Sequence, residues 1–181
     1  MSTSAITTWK VDPSHSLVEF SVRHMMFATV KGRFGGVDGV IKGDPNDLSN
    51  AVFEATIDAA SIDTREEQRD NHLRSADFFD VEKFPNLTFR STQVTKTGDN
   101  TYQVAGELTI RDVTKPVTLD VEFTGQGKDP WGNQRIGLSA KGSINRKDYG
   151  LTWNAPLEAG GFLVGDKVDI TIEVEAVGQA E

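Results

Sequence analysis

The sequence contains no cysteine in its 181 residues. This absence excludes a disulfide framework, a thiol nucleophile and a metal held by thiolates. Positive charge is also scarce, because 19 lysines and arginines face 27 acidic residues and leave a net charge of -8. Without a basic stripe to neutralise phosphates, the composition argues against a nucleic-acid partner and against electrostatic docking on anionic lipid.

Long apolar runs are missing as well. No stretch approaches the ~18 consecutive apolar residues that a membrane-spanning helix needs, so we predict no stable membrane insertion. The N-terminus, MSTSAITTWKVD, lacks the basic segment and apolar stretch of a secretion signal, which predicts a cytoplasmic protein. The length suits a single domain over residues 1–181 that can bury a core of its own.

Recognisable catalytic and metal-binding motifs are absent too. His15, His24 and His72 show none of the usual metal-ligand spacings, and no GxSxG elbow presents a serine nucleophile. Residues 160–167, GGFLVGDK, come near a phosphate-binding loop, but Asp166 stands where that loop needs lysine. We therefore predict no metal site, no cofactor and no enzymatic activity.

The chain does contain long stretches in which apolar and polar residues alternate. Val18, Phe20 and Val22, for example, share one face of their segment, and the polar residues between them share the other. Roughly eight such runs have this period of two, which is typical of antiparallel strands with one buried and one solvated face. Short connections favour pairing between neighbours, and both a sandwich and a closed barrel fit the pattern.

One segment, residues 61–91, breaks the alternation. Thr64 and Glu67 have the spacing of a capping box, which predicts a helical insertion around residues 63–76. Three phenylalanines follow it, and Pro85 then favours an extended chain from which a new strand begins near Leu87. We expect this helix to pack across one mouth of a barrel.

Four segments in order resemble the YceI-like family, the lipocalin-like, polyisoprenoid-binding domain proteins. These segments read SIDT, RDNHLRSADFFDVEKFPNLTF, GELTIRDVTKPVTL and INRKDYGL. The resemblance runs from Trp9 to Val177, and its most specific part lies between Arg69 and Ser91. Asp112 stands where the family usually has glycine, in a turn that aspartate tolerates.

The resemblance implies an all-β fold, an extended eight-stranded antiparallel lipocalin-like barrel with a helical cap and an elongated apolar tunnel. Family members are thought to bind isoprenoid-type or other long-chain amphipathic lipids, and many are exported to a periplasm. We therefore predict a protein that carries or sequesters a long-chain, polyisoprenoid-like lipid, with that lipid as ligand and no other cofactor. Pairing of exposed strand edges would allow a homodimer.

The alternation also predicts which side chains face the tunnel. Its predicted wall consists of Phe20, Val22, Phe34, Phe53, Phe89, Leu108, Leu119, Leu138 and Ile170. Met26 and Phe27 follow a strand and are predicted to line a lipid entrance, with packing against the helical cap as an equal alternative. The glycine-rich loop at 150–165, with Trp153 and Phe162, is predicted to form a flap over the opposite opening, with ordinary packing as an equal alternative.

Some interpretations stay open. The helical segment contains three arginines, Arg65, Arg69 and Arg74. We favour the interpretation that they form a salt-bridged helix face in solvent. The alternative is that they bind a pyrophosphate head group, which guanidinium groups also suit. Two other function classes compete with the lipid carrier. One is a stress-related binding module with a filled barrel and a protein partner, and the other is an enzyme that acts on a lipid in the same cavity.

Overall fold

The fold is known from a computed structural model, which describes residues 8–158 and 160–179. Nearly all of the regular structure is antiparallel β-strand, and one α-helix, α1 (Glu67–Arg74), lies between the sixth and seventh strands. The strands are β1 (Thr8–Val11), β2 (Leu17–His24), β3 (Ala28–Phe34), β4 (Val37–Asp44), β5 (Asp47–Asp58), β6 (Ile62–Asp63), β7 (Asn86–Lys96), β8 (Thr101–Ile110), β9 (Val113–Lys128), β10 (Gln134–Asn145) and β11 (Val164–Gly178).

These strand segments form a closed eight-stranded antiparallel barrel, as predicted. Three of the eight strands are bent and therefore divided: β1 continues into β2, β3 into β4, and β5 into β6. The ring closes because β1 pairs with β4 on one side and β11 on the other. The pairing of β2 with β11 completes the closure, and all other pairings join consecutive members of the eight strands, which is the arrangement that short connections favour.

The bends have local causes. Between β1 and β2 the side chain of Asp12 accepts a hydrogen bond from the backbone N–H of Ser14, which starts a short 3-10 turn at Pro13–His15. Between β3 and β4, a side chain at Gly36 would come within 2.8 Å of the Asp58 Cβ, so only glycine allows the strands to approach there.

One end of the barrel is filled by side chains. Its large buried residues come from the strand portions farthest from α1 and include Trp9, Ile41, Leu48, Tyr102, Val104, Ile136, Leu138 and Ala176. The polar atoms of the two aromatic residues are satisfied, since Trp9 Nε1 donates to Gly43 O (3.3 Å) and the Tyr102 hydroxyl accepts from Leu48 N (3.2 Å). We call this region the filled half.

The helix begins later and ends earlier than residues 63–76, and the predicted capping box is wrong. The N-cap is Glu66, whose carboxylate accepts hydrogen bonds from the N–H groups of Gln68 and Arg69. Arg65 adopts a left-handed conformation (φ 67°), which turns the chain between Thr64 and the helix. Thr64 therefore lies outside the helix.

The glycine-rich loop does not cover the opposite opening. It connects β10 to β11, and the α1 insertion connects β6 to β7. Because strands alternate in direction around the barrel, both connections leave from the same end. The loop and the helix consequently cover one mouth together. No helix in the described ranges is long and apolar enough to cross a membrane.

Candidate functional site

The half of the barrel beneath α1 contains a cavity of about 480 Å³. This volume falls within the ~300–1,000 Å³ that small-molecule sites occupy. Its wall is overwhelmingly apolar, and the inward faces of strands from all around the barrel contribute to it. Seven residues of the predicted wall lie there, namely Phe20, Val22, Phe34, Phe89, Leu108, Leu119 and Ile170. Whether they contact a ligand stays a prediction.

Two residues of the predicted wall, Phe53 and Leu138, do not line the cavity. Leu138 is buried in the filled half, and Phe53 packs against the core away from the cavity. Alternation assigned both to the wall because it identifies the buried face of a strand but not the height along the barrel axis, and whether either contacts a ligand stays a prediction. The two side chains share the face of the true wall residues and lie below the cavity floor.

Met26 and Phe27 also do not line the cavity. They occupy the tight turn between β2 and β3, where their side chains are 65% and 75% exposed. Most of each residue is therefore in solvent, and the role of both at a lipid entrance stays a prediction. The preceding residues, Arg23 and His24, do line the cavity, so the turn lies directly beside its mouth.

Sequence reasoning missed several wall residues. On the strands, Ile57, Leu87, Ile110, Val117, Ile144, Ile172 and Val174 line the cavity, and the same alternation could have identified them. The lid over the cavity contributes Leu73, Phe78, Phe79, Leu151, Trp153 and Leu163. No periodic signal marks this second group, because these residues reach the cavity only through the path of the two connections.

Aromatic rings shape the interior of the cavity. The ring of Phe34 lies 5.6 Å from that of Phe20 and 5.6 Å, edge-on, from that of Phe79 in the lid. Glycines on neighbouring strands make room for such rings: a side chain at Gly32 would overlap the ring of Phe20, and one at Gly106 would overlap that of Phe89. The rings can therefore lie against the wall and leave the centre open.

The lid is held shut by contacts between its two parts. The imidazole of His72 on α1 meets the indole of Trp153 edge-on at 4.6 Å, and the ring of Phe78 lies 5.6 Å from the same indole. Edge-to-face aromatic pairs of this kind contribute about 0.5–1.5 kcal/mol beyond the area they bury. The contact therefore closes the mouth between helix and loop with modest energy.

Arg146 anchors the loop side of the lid. Its side chain is only 4% exposed, and burial lowers the pKa of its guanidinium while Asp166, at 3.8 Å, opposes that effect. The guanidinium donates to backbone carbonyls at both ends of the loop, those of Leu151 (2.6 Å), Trp153 (2.9 Å), Val164 (3.2 Å) and Gly165 (2.8 Å). These bonds fix the base of the loop against the barrel.

The arginines of the helical connection do not form a salt-bridged face. Arg74 donates to the backbone carbonyls of Ala60 (3.0 Å) and Ile62 (2.9 Å). Arg69 donates through Nε to Thr64 Oγ1 (2.8 Å) and through Nη2 to Thr64 O (2.7 Å), and its side chain lines the cavity. The buried Asp70 accepts from the N–H and hydroxyl of the same threonine.

The charged groups at the cavity have one sign. Arg23, Arg69 and Arg146 line it, and among the described residues no aspartate or glutamate does. The chain as a whole has a net charge of -8, so the charge at the cavity is opposite in sign to that of the protein. The arrangement favours a ligand with an apolar body and a polar end rich in hydrogen-bond acceptors.

A second polar cluster lies outside the barrel. Asp12, His15 and Glu175 offer ligand atoms within 4.8 Å of one another, close enough for a metal ion. However, Arg135 Nη1 donates to Asp12 (2.9 Å), and its Nε donates to Asp129 (2.7 Å). The arginine already supplies the positive charge, so the cluster is a salt-bridge network.

Comparison with known proteins places the chain in a family. A model of the YceI-like domain matches residues 9–176. A UPF0312 protein of Staphylococcus aureus (strain N315) is 41% identical over 171 residues, 94% of this chain and 97% of the relative. The structure of Burkholderia cenocepacia BcnA superposes with a TM-score of 0.79 at 25% identity, covering 91% of this chain and 98% of that protein.

A more distant likeness concerns the fold alone. A Saccharophagus degradans structure described as a polyisoprenoid binding domain superposes with a TM-score of 0.70 at 15% identity, over 97% of this chain and all of that one. The match of the family model over nearly the whole length, together with the close Staphylococcus relative, decides the assignment. The chain belongs to the YceI-like domain family.

Proposed function

We propose that this protein binds a long-chain amphipathic lipid, of polyisoprenoid-like type, and carries or sequesters it. The observation that carries the proposal is the apolar cavity of about 480 Å³ inside one half of a closed barrel. A wall with so few polar groups gives water too few hydrogen-bond partners to be held there. An apolar chain would instead gain about 25 cal/mol for each Å² of surface it buries.

The cavity has the size of a site for one small ligand, about 480 Å³ against the ~300–1,000 Å³ of typical sites. We expect a polyisoprenoid of many units to extend through the mouth or to displace the lid.

The polar end of the ligand would lie at the lid. Arg69, Gln68 and His72 line the cavity on that side, so they would meet a head group whose acceptor oxygens suit a guanidinium. Binding and orientation are the only roles proposed for these residues. Among the described residues, no aspartate or glutamate lines the wall, and the hydroxyl of Thr64 is already engaged by both Asp70 and Arg69, which supports a carrier over an enzyme.

The test is organic extraction of the purified protein followed by mass spectrometry. We expect a long-chain lipid at about one molecule per protein in the wild type and a loss of at least about tenfold in Leu108→Arg, because this change places a charge in the apolar wall. Gln103→Arg adds the same charge to the exposed face of β8 and is expected to keep the lipid. Circular dichroism and thermal melting show whether each variant is folded.

The alternatives have distinct outcomes in the same experiment. A wild-type protein without extractable lipid would favour the protein-binding module, and a lipid converted to a product over time would favour an enzyme. Lipid retained by a folded Leu108→Arg protein would contradict the assignment of the wall.

The head-group role is tested separately with Arg69→Ala. We expect a changed distribution of head groups with unchanged chain lengths, because the side chain meets only the polar end of the ligand. Arg65→Ala is the matched control, since Arg65 is exposed and does not line the cavity. Identical head-group profiles in wild type and Arg69→Ala would contradict this role.

A further inference from the structure

Four large apolar side chains are exposed together beside the mouth of the cavity. Met25, Met26, Phe27 and Phe162 are 39%, 65%, 75% and 55% exposed. The first three form the turn between β2 and β3, and the fourth belongs to the lid loop. We call these four residues the apolar tip. Isolated exposed apolar residues are common on soluble proteins, but contiguous ones mark contact surfaces.

The two turns that carry the apolar tip touch each other. Met25 N donates a hydrogen bond to Leu163 O (2.8 Å). The sulfur of Met26 lies against Gly161, so closely that a side chain at that glycine would approach Sδ to 2.8 Å. The four residues therefore form one surface rather than two separate exposures.

The backbone of the turn does not favour these residues. Met25 and Met26 both have left-handed conformations, with φ of 53° and 71°. Glycine or asparagine is the usual residue at left-handed positions of a turn, because other side chains are strained there. Large apolar side chains here oppose both backbone preference and solvation, so the stability of the fold does not account for them.

The tip is continuous with the cavity wall. Arg23 and His24, which precede the turn, line the cavity, and so do Leu163 and Val164, which follow Phe162. Arg146 fixes this part of the lid loop by donating a hydrogen bond to the carbonyl of Val164. A ligand leaving the cavity between the turn and the lid loop would pass along the tip.

The charges around the tip also restrict what it can contact. The segments 23–29 and 160–165 contain no aspartate or glutamate, although the chain has 27 acidic residues. The cation at the base, Arg23, donates to Phe27 O (3.5 Å). Two acidic residues, Glu158 and Asp166, lie just outside these segments, and Asp166 is paired with Arg146 (3.8 Å) and Lys147 (3.5 Å). The surface is thus apolar at its centre with Arg23 at its edge, which suits the acyl and phosphate layers of a phospholipid surface.

We propose that the apolar tip docks on the surface of a phospholipid bilayer and holds the cavity mouth against it for lipid entry and exit. The inference rests on the proposed function, because a long-chain lipid is stored in bilayers and hardly dissolves in water. Phenylalanine and methionine side chains enter the interface between head groups and acyl chains, and apolar contact dominates because the protein as a whole is acidic. A bilayer is preferred over a second copy because a lipid must be exchanged at this mouth.

The test is flotation of the purified protein with vesicles of phosphatidylcholine, with and without phosphatidylglycerol. We expect the wild type to float with both, and the double variant Met26→Ser, Phe27→Ser to lose at least about tenfold in bound fraction. Trp131→Ser is the matched control, because Trp131 is a single aromatic residue, 81% exposed, in the hairpin at the opposite end. Its binding is expected to equal that of the wild type.

Three results would overturn the docking surface. The wild type could fail to float, the double variant could float as well as the wild type, or size exclusion could show a dimer that the double variant dissociates. The extraction experiment separates this inference from the carrier function. Flotation through the tip without extractable lipid would keep the docking surface and refute the carrier, whereas extractable lipid without flotation would do the reverse.

Discussion

The two halves of this barrel are made from the same strands, yet one is filled and the other hollow. In the filled half the connections are short, such as residues 45–46 between β4 and β5, and large buried residues such as Trp9 and Leu48 occupy the interior. In the hollow half, the connections at 64–85 and 146–163 are long enough to cross the opening as a lid. The two long connections, as much as the sizes of the side chains, therefore account for the cavity in this half.

The largest expected effect is on the free energy of unfolding, when a leucine in each half is changed to alanine. Leu48→Ala should lower the free energy of unfolding by about 2–5 kcal/mol, because it opens a new cavity at a side chain that is 0% exposed. Leu119→Ala should cost less, because that side chain already faces empty space and has fewer contacts to lose. Urea unfolding of both proteins without lipid measures the difference. Equal losses would mean that the two halves are packed alike.

A smaller effect is expected at the boundary between the halves. Leu138 pairs with Val174, which lines the cavity, so Leu138 lies just beneath the floor. Leu138→Ala should deepen the cavity and shift the extracted lipids toward longer chains. Ile136→Ala, two residues deeper on the same strand, is the control and should leave the chain-length profile unchanged. If Leu138→Ala leaves the chain-length distribution of the extracted lipids unchanged, Leu138 does not lie at the cavity floor.

The smallest effect concerns acid stability on the outer face. Hydrogen bonds from Ser14 and then Arg135 hold the pKa of Asp12 at about 2, and Arg135 is the main cause of a pKa of about 2 at Asp129. Because both values lie below the usual 3.8, these carboxylates stabilise the fold above that pH, and the contribution is lost as the pH falls toward 2.

Arg135→Gln should therefore lower the melting temperature at neutral pH and flatten its decline between pH 3.8 and 2. Arg90→Gln is the control, because Arg90 is exposed and makes only an outer ion pair with Glu54 at 3.5 Å. The measurement is the melting temperature of the wild type and of both variants across this pH range. An unchanged pH profile in Arg135→Gln would show that the network contributes nothing to acid stability.

Much of the fold could be predicted from local sequence patterns. The predictions that failed also have local causes. Most strands from β2 onward were recognisable because alternation over many residues is a strong signal, whereas β6, with two residues, was missed. β1 was missed because Thr8–Val11 is too short to show a period, although Trp9 is a principal residue of the filled half. The capping box failed because the left-handed Arg65 moves Thr64 out of the helix.

An all-β chain, the inward face of most strands and the presence of one helical insertion could be read from the sequence alone, because each depends on neighbouring residues. Only the tertiary structure decided that both long connections cover the same mouth, that the cavity occupies one half, and that Phe53 lies outside it while Met26 is exposed beside it. Those properties depend on where residues distant in sequence meet along the barrel axis. A period of two carries no information about that height.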